Sequence, residues 1–151
     1  MSIALIRNLI FIVSLIYCSI SDIKYKKISL CFFVIYFITG IILIVLNLIL
    51  KEQINIQNIN KSIILGLLII LISILTNNGV GRADGLYFLI NSLYVSFNIN
   101  LYLLITGMYI LFIISIFIYI KRAGNIKHLA LPFLPCLLPY ALWSFYAQYR
   151  I

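Results

Sequence analysis

The sequence predicts an all-α, polytopic membrane protein with six transmembrane helices, and two observations support this class. Hydrophobic residues make up 65% of the 151 residues, whereas charged residues make up only 9%. A soluble domain carries about 25% charged residues, so this chain lacks the polar surface that water requires. Its mean hydropathy is +1.20, and long apolar runs alternate with short polar segments. We therefore expect a single membrane-embedded domain over residues 1–151.

Six apolar runs are long enough to form membrane helices. They are predicted at Asn8–Ile20, with an extension from Ile3 to Ile6, and at Ile28–Leu50, Ser62–Thr76, Ala83–Phe97, Leu101–Ile120 and Leu129–Ala147. The third and fourth runs would each span roughly 22 Å, which is less than the ~30 Å hydrocarbon core. We therefore expect the turn from Thr76 to Asp84 to lie below the lipid headgroups, with Gly79 and Gly81 allowing a tight backbone there.

The distribution of basic residues predicts the orientation of the helices. The first, third and fifth predicted loops carry most of the positive charge, namely Lys24, Lys26, Lys27, Arg82, Lys121, Arg122 and Lys127. The opposite face carries Arg7, Lys51, Lys61 and Arg150, partly offset by Glu52. Because positive loops stay in the cytoplasm, we expect both termini on the extracytoplasmic side of the cytoplasmic (inner) membrane. Topology explains the net charge of +8, so the expected partner is the lipid bilayer and not nucleic acid.

The chain has only three acidic residues, Asp22, Glu52 and Asp84. A carboxylate in an apolar setting is costly, so it persists when it is paired, neutralised or functional. The predicted topology places Asp22 and Asp84 at cytoplasmic helix ends on the same face. Two neighbouring carboxyls share a proton, because like charges a few Å apart cannot both ionise. The ionised carboxyl can take a proton from water while the other donates one, which hydrolyses a peptide bond without a metal.

Other interpretations of these acids remain open at this stage. Asp22 could neutralise Lys24 and Lys26 at the surface, and Asp84 could be the N-cap of the fourth helix. The chain could then be a non-catalytic membrane assembly or binding subunit. A small ion-coupled transporter, with the two acids as proton or cation sites, is a third possibility, although the sequence shows no internal repeat. Cys18, Cys31 and Cys136 lack metal-binding spacing, so no metal or cofactor is expected.

All three prolines fall between Pro132 and Pro139. Proline removes a backbone donor and kinks a helix, so we expect the start of the sixth helix to be bent or unwound. This segment is either a plain helix start or part of a site wall formed by Pro132, Phe133 and Pro135.

Three short motifs resemble those of the type IV prepilin peptidase family, which are membrane aspartyl proteases. Gly79-Val80-Gly81-Arg82-Ala83-Asp84 resembles the GxGD motif of that family. The segment from Asp22 to Ser29 is similar to its other segment, in which an aspartate and basic residues precede Ile-Pro-Asn. Pro132-Phe133-Leu134-Pro135 resembles its late Pro-Phe-Gly-Pro element. The three matches occur in the family's order and cover nearly the whole chain.

This resemblance implies a membrane aspartyl endopeptidase that cleaves the leaders of prepilin-like or other small exported precursor peptides. Asp22 and Asp84 would be the catalytic pair, and Gly79, Gly81, Arg82 and Ala83 would form the motif loop. The substrate would carry a basic leader followed by an apolar helix, as in type IV pilus assembly and related secretion. Cleavage would occur at the cytoplasmic membrane face.

The chain also departs from the family pattern. Ala83 replaces the second motif glycine, where a positive φ would be strained. Ser29, Leu134 and Leu86 stand where the family often has proline, glycine and lysine. The cysteine-rich insert of the bifunctional enzymes is missing, so we expect a peptidase without N-methylation by S-adenosylmethionine.

Overall fold

The computed structural model describes residues 3–50, 56–76, 81–121 and 131–149, in which all regular elements are helices. The elements are α1 (Ile3–Tyr25), α2 (Leu30–Ile49), α3 (Ile56–Leu75), α4 (Arg82–Asn91), α5 (Phe97–Lys121), a 3₁₀ helix (Leu134–Leu137) and α6 (Leu138–Tyr149). The predicted all-α class is therefore confirmed.

Four of these helices, α1, α2, α3 and α5, are long and apolar enough to cross a membrane, judged over the described residues. Helix α4 has only 10 residues and α6 only 12, so neither reaches across the hydrocarbon core. A membrane-embedded helical protein is thus supported, whereas six full spans are not confirmed.

Helix α4 ends at Asn91 although the apolar run continues to Phe97. The Asn91 side-chain amide donates to Asn100 Oδ1 at 3.0 Å, and the Asn100 amide donates to the Phe88 carbonyl at 3.2 Å. The Ser92 hydroxyl donates to the Leu89 carbonyl at 2.6 Å. These side chains satisfy the carbonyls that a helix end leaves unpaired, so the chain turns inside the bundle.

The limits of α1 and α3 also differ from the prediction. Helix α3 begins at Ile56 and has 20 residues, about 30 Å, so the expectation of a short third helix is wrong. Helix α1 continues to Tyr25, which places Asp22 within a helix and not in a loop. The helix stops at Lys26, whose φ of 51° is left-handed and whose amide donates to the Asp22 carbonyl at 3.1 Å.

The start of α6 is unwound, as the prolines predict. Residues Leu134–Leu137 form a 3₁₀ helix with Pro135 in its first turn, and α6 follows directly. Proline at these positions has no amide to donate, so the segment begins as a tight turn before the regular helix.

Helix α4 lies in the centre of the bundle and packs closely against α3. Its Tyr87 and Phe88 side chains are fully buried. A Cβ atom at Gly66 of α3 would lie 2.6 Å from the Leu89 Cα and amide nitrogen. A Cβ at Gly85 of α4 would lie 2.6 Å from Ile70 Cγ1 and 3.0 Å from the Ile70 nitrogen. The two helices can approach this closely because glycine occupies both contact points.

Helix α2 holds the turn that follows α4. The Tyr36 and Tyr94 rings stack with centroids 4.3 Å apart, and the Tyr94 hydroxyl donates to the Tyr36 carbonyl at 2.6 Å. The Tyr36 hydroxyl in turn donates to Asn91 Oδ1 at 3.2 Å. At one end of the bundle, Asn8 of α1 donates to Gln148 of α6 at 2.7 Å, which joins the first and last helices.

We expect Gly66→Val to separate α3 from α4, because the new side chain would meet the α4 backbone, which cannot rotate away. Overpacking of this kind costs about 1–3 kcal/mol of folding free energy. Thermal unfolding of the purified protein in detergent measures the effect as a lower Tm. Leu67→Ala is the matched control, since Leu67 is the next residue of α3 and is 51% exposed. An unchanged Tm for Gly66→Val would contradict the close α3–α4 contact.

Candidate active site

A cavity of about 950 Å³ opens at the end of the bundle where α1 ends and α4 begins. Both aspartates line it, although they are 62 positions apart in the chain (84 − 22). The other lining residues are Lys26, Lys27, Ile28, Ile69, Ile72, Gly81, Arg82, Ala83, Leu104, Met108, Leu111, Phe112, Ser115, Leu131, Pro132 and Phe133. Five separate parts of the chain therefore contribute to one pocket.

Asp84 lies in the first turn of α4, two residues after Arg82 starts the helix. Its amide donates to the Gly81 carbonyl at 3.1 Å. A Cβ at Gly81 would lie only 2.8 Å from Asp84 Oδ2, so the glycine leaves room for the carboxylate beside the backbone. The amides of a helix start favour a negative charge at this position, which partly offsets the cost of removing the carboxylate from water.

Asp22 is positioned by the last turns of α1 and by the start of the 3₁₀ helix. The Leu134 amide donates to Asp22 Oδ2 at 3.4 Å, and the Phe133 amide also interacts with this carboxylate. Both amides stand at the beginning of a helical segment, where backbone donors have no carbonyl partner within the helix. This contact brings the proline-containing segment against α1 and makes Asp22 an amide-bound carboxylate.

The two carboxyls interact electrostatically. Burial, and to a smaller degree the negative charge of Asp22, raises the pKa of Asp84 from 3.8 to about 7. Among the described residues, none donates a hydrogen bond to the Asp84 carboxylate and no lysine or arginine forms an ion pair with it. Asp84 is therefore the acid that holds a proton near neutral pH.

The structure decides between the alternative roles considered for the two aspartates. Gly81, not Asp84, is the N-cap of α4, so that interpretation of Asp84 is wrong. Neither Lys24 nor Lys26 forms an ion pair with Asp22 in the described part of the chain. Lys24 instead places its ammonium 5.2 Å from the centre of the Tyr25 ring. Neutralisation by these lysines therefore does not account for Asp22.

Most of the residues predicted to support the site line the same pocket. Gly81, Arg82 and Ala83 form its edge beside Asp84. Ala83 lies in the regular first turn of α4, and the non-glycine residue with a positive φ in the described segments is Lys26, so the expected strain at Ala83 is absent. Gly79 falls outside the described residues.

The expected wall from the proline segment is formed only in part. Pro132 and Phe133 line the cavity together with Leu131. Pro135 does not line it, because this residue lies in the first turn of the 3₁₀ helix, beyond the amides that face Asp22. The wall is therefore made by the residues that precede the 3₁₀ helix.

The sequence did not reveal the apolar side of the pocket, which comes from α3 and α5. The α5 residues are Leu104, Met108, Leu111, Phe112 and Ser115. Four of them, Leu104, Met108, Leu111 and Ser115, recur every three to four positions along one helical face, and Phe112 is next to Leu111. Helix α5 is apolar on all sides, so its hydrophobic periodicity did not distinguish this face. Ile69 and Ile72 of α3 also line the pocket.

Asp22 and Asp84 are the acidic side chains among the residues that line the pocket. Within the described segments no group of three histidine, cysteine or acidic side chains is placed to hold a metal ion. Two carboxyls in one water-accessible pocket, one of them protonated near pH 7, can act as a general base and a general acid.

We expect the Asp84 carboxyl to make folding stability depend on pH. The pKa of Asp84 is raised in the folded state, so its contribution to the free energy of unfolding is complete below about pH 4. That contribution is lost as the pH rises to about 7. The loss is at most about 1.4 kcal/mol per pH unit in this window. Asp84→Asn removes this pH dependence. The Tm of the variant should therefore be higher than that of the native protein at pH 8 and similar to it at pH 4.

Thermal unfolding in detergent at several pH values measures this effect. Asp22→Asn is the informative control, because loss of its negative charge should move the Asp84 transition to lower pH. If the difference in Tm between the native protein and Asp84→Asn were the same at every pH from 4 to 8, the burial of Asp84 would be contradicted.

Comparisons of the chain with protein-family models, with curated proteins and with solved structures find no match. The pocket itself is therefore the basis for a proposed function. Its defining features are the two carboxyls, the amide contacts to Asp22, and the apolar groove between α3 and α5.

Proposed function

We propose that the protein is a membrane aspartyl endopeptidase of the prepilin peptidase kind. The observation that carries the proposal is that Asp22 and Asp84, from separate helices, line one cavity of about 950 Å³. The apolar groove that continues from the two acids gives room for a hydrophobic peptide segment. The order of the three motifs, with both aspartates in corresponding positions, is consistent with this family.

In this mechanism the two aspartates activate water together. Ionised Asp22 takes a proton from water as the oxygen attacks the peptide carbonyl carbon, while protonated Asp84 gives its proton to the carbonyl oxygen. As the C–N bond breaks, Asp22 returns its proton to the leaving amine. A hydroxyl of the tetrahedral intermediate returns a proton to Asp84, which leaves a carboxylic acid, an amine and the starting enzyme.

The surroundings of the two acids favour this division of roles. Burial disfavours the charged form of Asp22, and amide donors at Leu134 and Phe133 partly offset this cost, whereas no described donor offsets it at Asp84. Asp84 holds the shared proton because burial and the charge of Asp22 both raise its pKa. Since the two carboxyls titrate as a coupled pair, the pH profile of cleavage reports both together.

The substrate in this proposal is a leader-bearing precursor, prepilin-like or another small exported peptide. Its cleavage takes place at the cytoplasmic face of the cell membrane, since Lys24, Lys26 and Lys27 follow Asp22 and Arg82 precedes Asp84. Both termini of the enzyme then lie outside the cytoplasm.

We expect Asp22→Asn and Asp84→Asn each to lower cleavage of a leader-bearing peptide at least 1000-fold, roughly the factor for loss of an essential acid or base. Peptide binding should remain, because neither change alters the apolar groove. The measurement is cleavage of a fluorescent precursor by the protein in detergent or liposomes. Full activity of either variant would rule out the proposed catalytic role of the two aspartates. Ion uptake that depends on both aspartates would indicate a transporter.

The two small residues beside the dyad should respond differently to substitution. We expect Gly81→Ala to lower cleavage roughly 10- to 100-fold at nearly unchanged Tm, because its Cβ displaces the Asp84 carboxylate from the side. Ala83→Gly should change cleavage by less than about threefold, since Ala83 already has helical backbone angles. Steady-state cleavage and a melting curve for each variant test this contrast, and equal loss in both would contradict it.

A further inference from the structure

One buried face of α5 contacts both segments that position the two aspartates. The buried residues of α5 are Asn100, Leu103 and Gly107, which recur every three to four positions. The Asn100 amide donates to the Phe88 carbonyl of α4, the helix that carries one of the aspartates. Gly107, two turns further along α5, packs against the 3₁₀ helix whose amides meet the other. Helix α5 therefore supports the surroundings of both acids.

Gly107 allows the 3₁₀ helix to approach α5 closely. A Cβ atom at Gly107 would overlap Leu137 Cδ2 and would lie 3.2 Å from Phe133 Cε2 and Cζ. Leu137 is fully buried, and the Phe133 ring also packs against the Phe88 ring of α4, with centroids 6.2 Å apart. Because protein interiors are closely packed, a larger residue at Gly107 displaces the whole segment and not one side chain.

The displaced segment is the one that carries the amide bound to Asp22. The Leu134 amide donates to Asp22 Oδ2 at 3.4 Å, which is longer than the usual N–H···O distance of about 2.7–3.2 Å. The two residues that a Cβ at Gly107 would meet, Phe133 and Leu137, lie on either side of Leu134 in the chain. A contact that is already long is lost when its donor is moved or tilted.

We propose that Gly107 is a positioning residue for Asp22: its missing side chain lets the 3₁₀ helix lie close to α5, and this position keeps the Leu134 amide within reach of the Asp22 carboxylate. Gly107 does not line the pocket, so it acts on Asp22 through the 3₁₀ segment. The consequence for cleavage rests on the proposed peptidase function, in which Asp22 is the general base. The consequence for the ionisation of Asp22 does not depend on that function.

Other titratable groups around Asp22 are unchanged when Gly107 is replaced. Among the described residues, those that interact electrostatically with Asp22 or share its cavity are Asp84, Cys18, Cys136, Lys26, Lys27 and Arg82. Between about pH 4 and pH 8 the thiols stay neutral and the basic side chains stay charged, so the two carboxyls titrate alone. Loss of an amide donor disfavours the carboxylate, which moves the titration midpoint of Asp22 to higher pH.

The experiment follows the ionisation of both aspartates by NMR of the full chain in detergent. Asp22 and Asp84 are the two aspartates of the sequence, so isotope labelling of aspartate carboxyl carbons gives one signal for each. The Asp22→Asn and Asp84→Asn variants assign the signals. Gly107→Ala is compared with Gly40→Ala, the matched control, because a Cβ at Gly40 would lie 2.8 Å from Leu93 Cδ1, and neither of these residues lines the pocket.

We expect the Asp22 midpoint to be higher in Gly107→Ala than in the native protein and unchanged in Gly40→Ala. For a leader-bearing peptide, kcat of Gly107→Ala should fall roughly tenfold at acidic pH with an unchanged KM, as loss of one hydrogen bond to a charged group allows. This loss should shrink as the pH rises, because Asp22 is then ionised in both proteins. Adding Leu137→Ala removes the overlapping atom and should return the midpoint toward its native value.

The possible results separate the inference from the function on which its consequence for cleavage rests. An Asp22 midpoint that is unchanged or lower in Gly107→Ala overturns the inference, and so does an equal rise in Gly40→Ala, since general loosening then explains it. If Gly107→Ala does not fold, Leu137→Phe enlarges the same contact from the 3₁₀ helix and must raise the midpoint. A higher midpoint without cleavage of any leader-bearing peptide by the native protein supports the inference and overturns the peptidase function.

Discussion

The close contact between α3 and α4 is the constraint on which the rest of the arrangement depends. At Gly66 and Gly85 the backbones approach so closely that a Cβ would lie 2.6 Å from its nearest neighbour. A helix of 10 residues has few hydrogen bonds of its own and gains its stability from such packing. Because α4 is fixed against α3 in this way, its first turn places Asp84 at the rim of the cavity.

The two carboxyls reach the same cavity under different physical conditions. Asp22 accepts a hydrogen bond from a backbone amide at the start of the 3₁₀ helix. Asp84 is partly buried beside Gly81 and keeps its proton up to about pH 7. An apolar bundle opposes charge, so each acid needs some compensation. Helix-start amides supply it for Asp22, and protonation supplies it for Asp84. An acid–base pair requires such a difference in environment between its two carboxyls.

The glycines of the motif region differ in what they contribute. Gly81 has ordinary extended backbone angles, with φ −63° and ψ 127°, so its value lies in the missing side chain and not in a left-handed turn. Ala83 sits two residues later inside the helix, where alanine is a good helix former. Alanine at position 83 therefore costs the helix nothing, whereas a side chain at Gly81 would occupy space next to the Asp84 carboxylate.

The sequence by itself determined the all-α class, the apolar character of the chain and the position of most helices. These follow from composition and apolar runs, because a chain with 9% charged residues cannot cover itself with a polar surface. Only the tertiary structure decided that α4 stops at Asn91, that Pro135 leaves the pocket wall, and that α3 and α5 form the groove. Hydropathy reports removal from water, and it does not distinguish burial in lipid from burial against another helix.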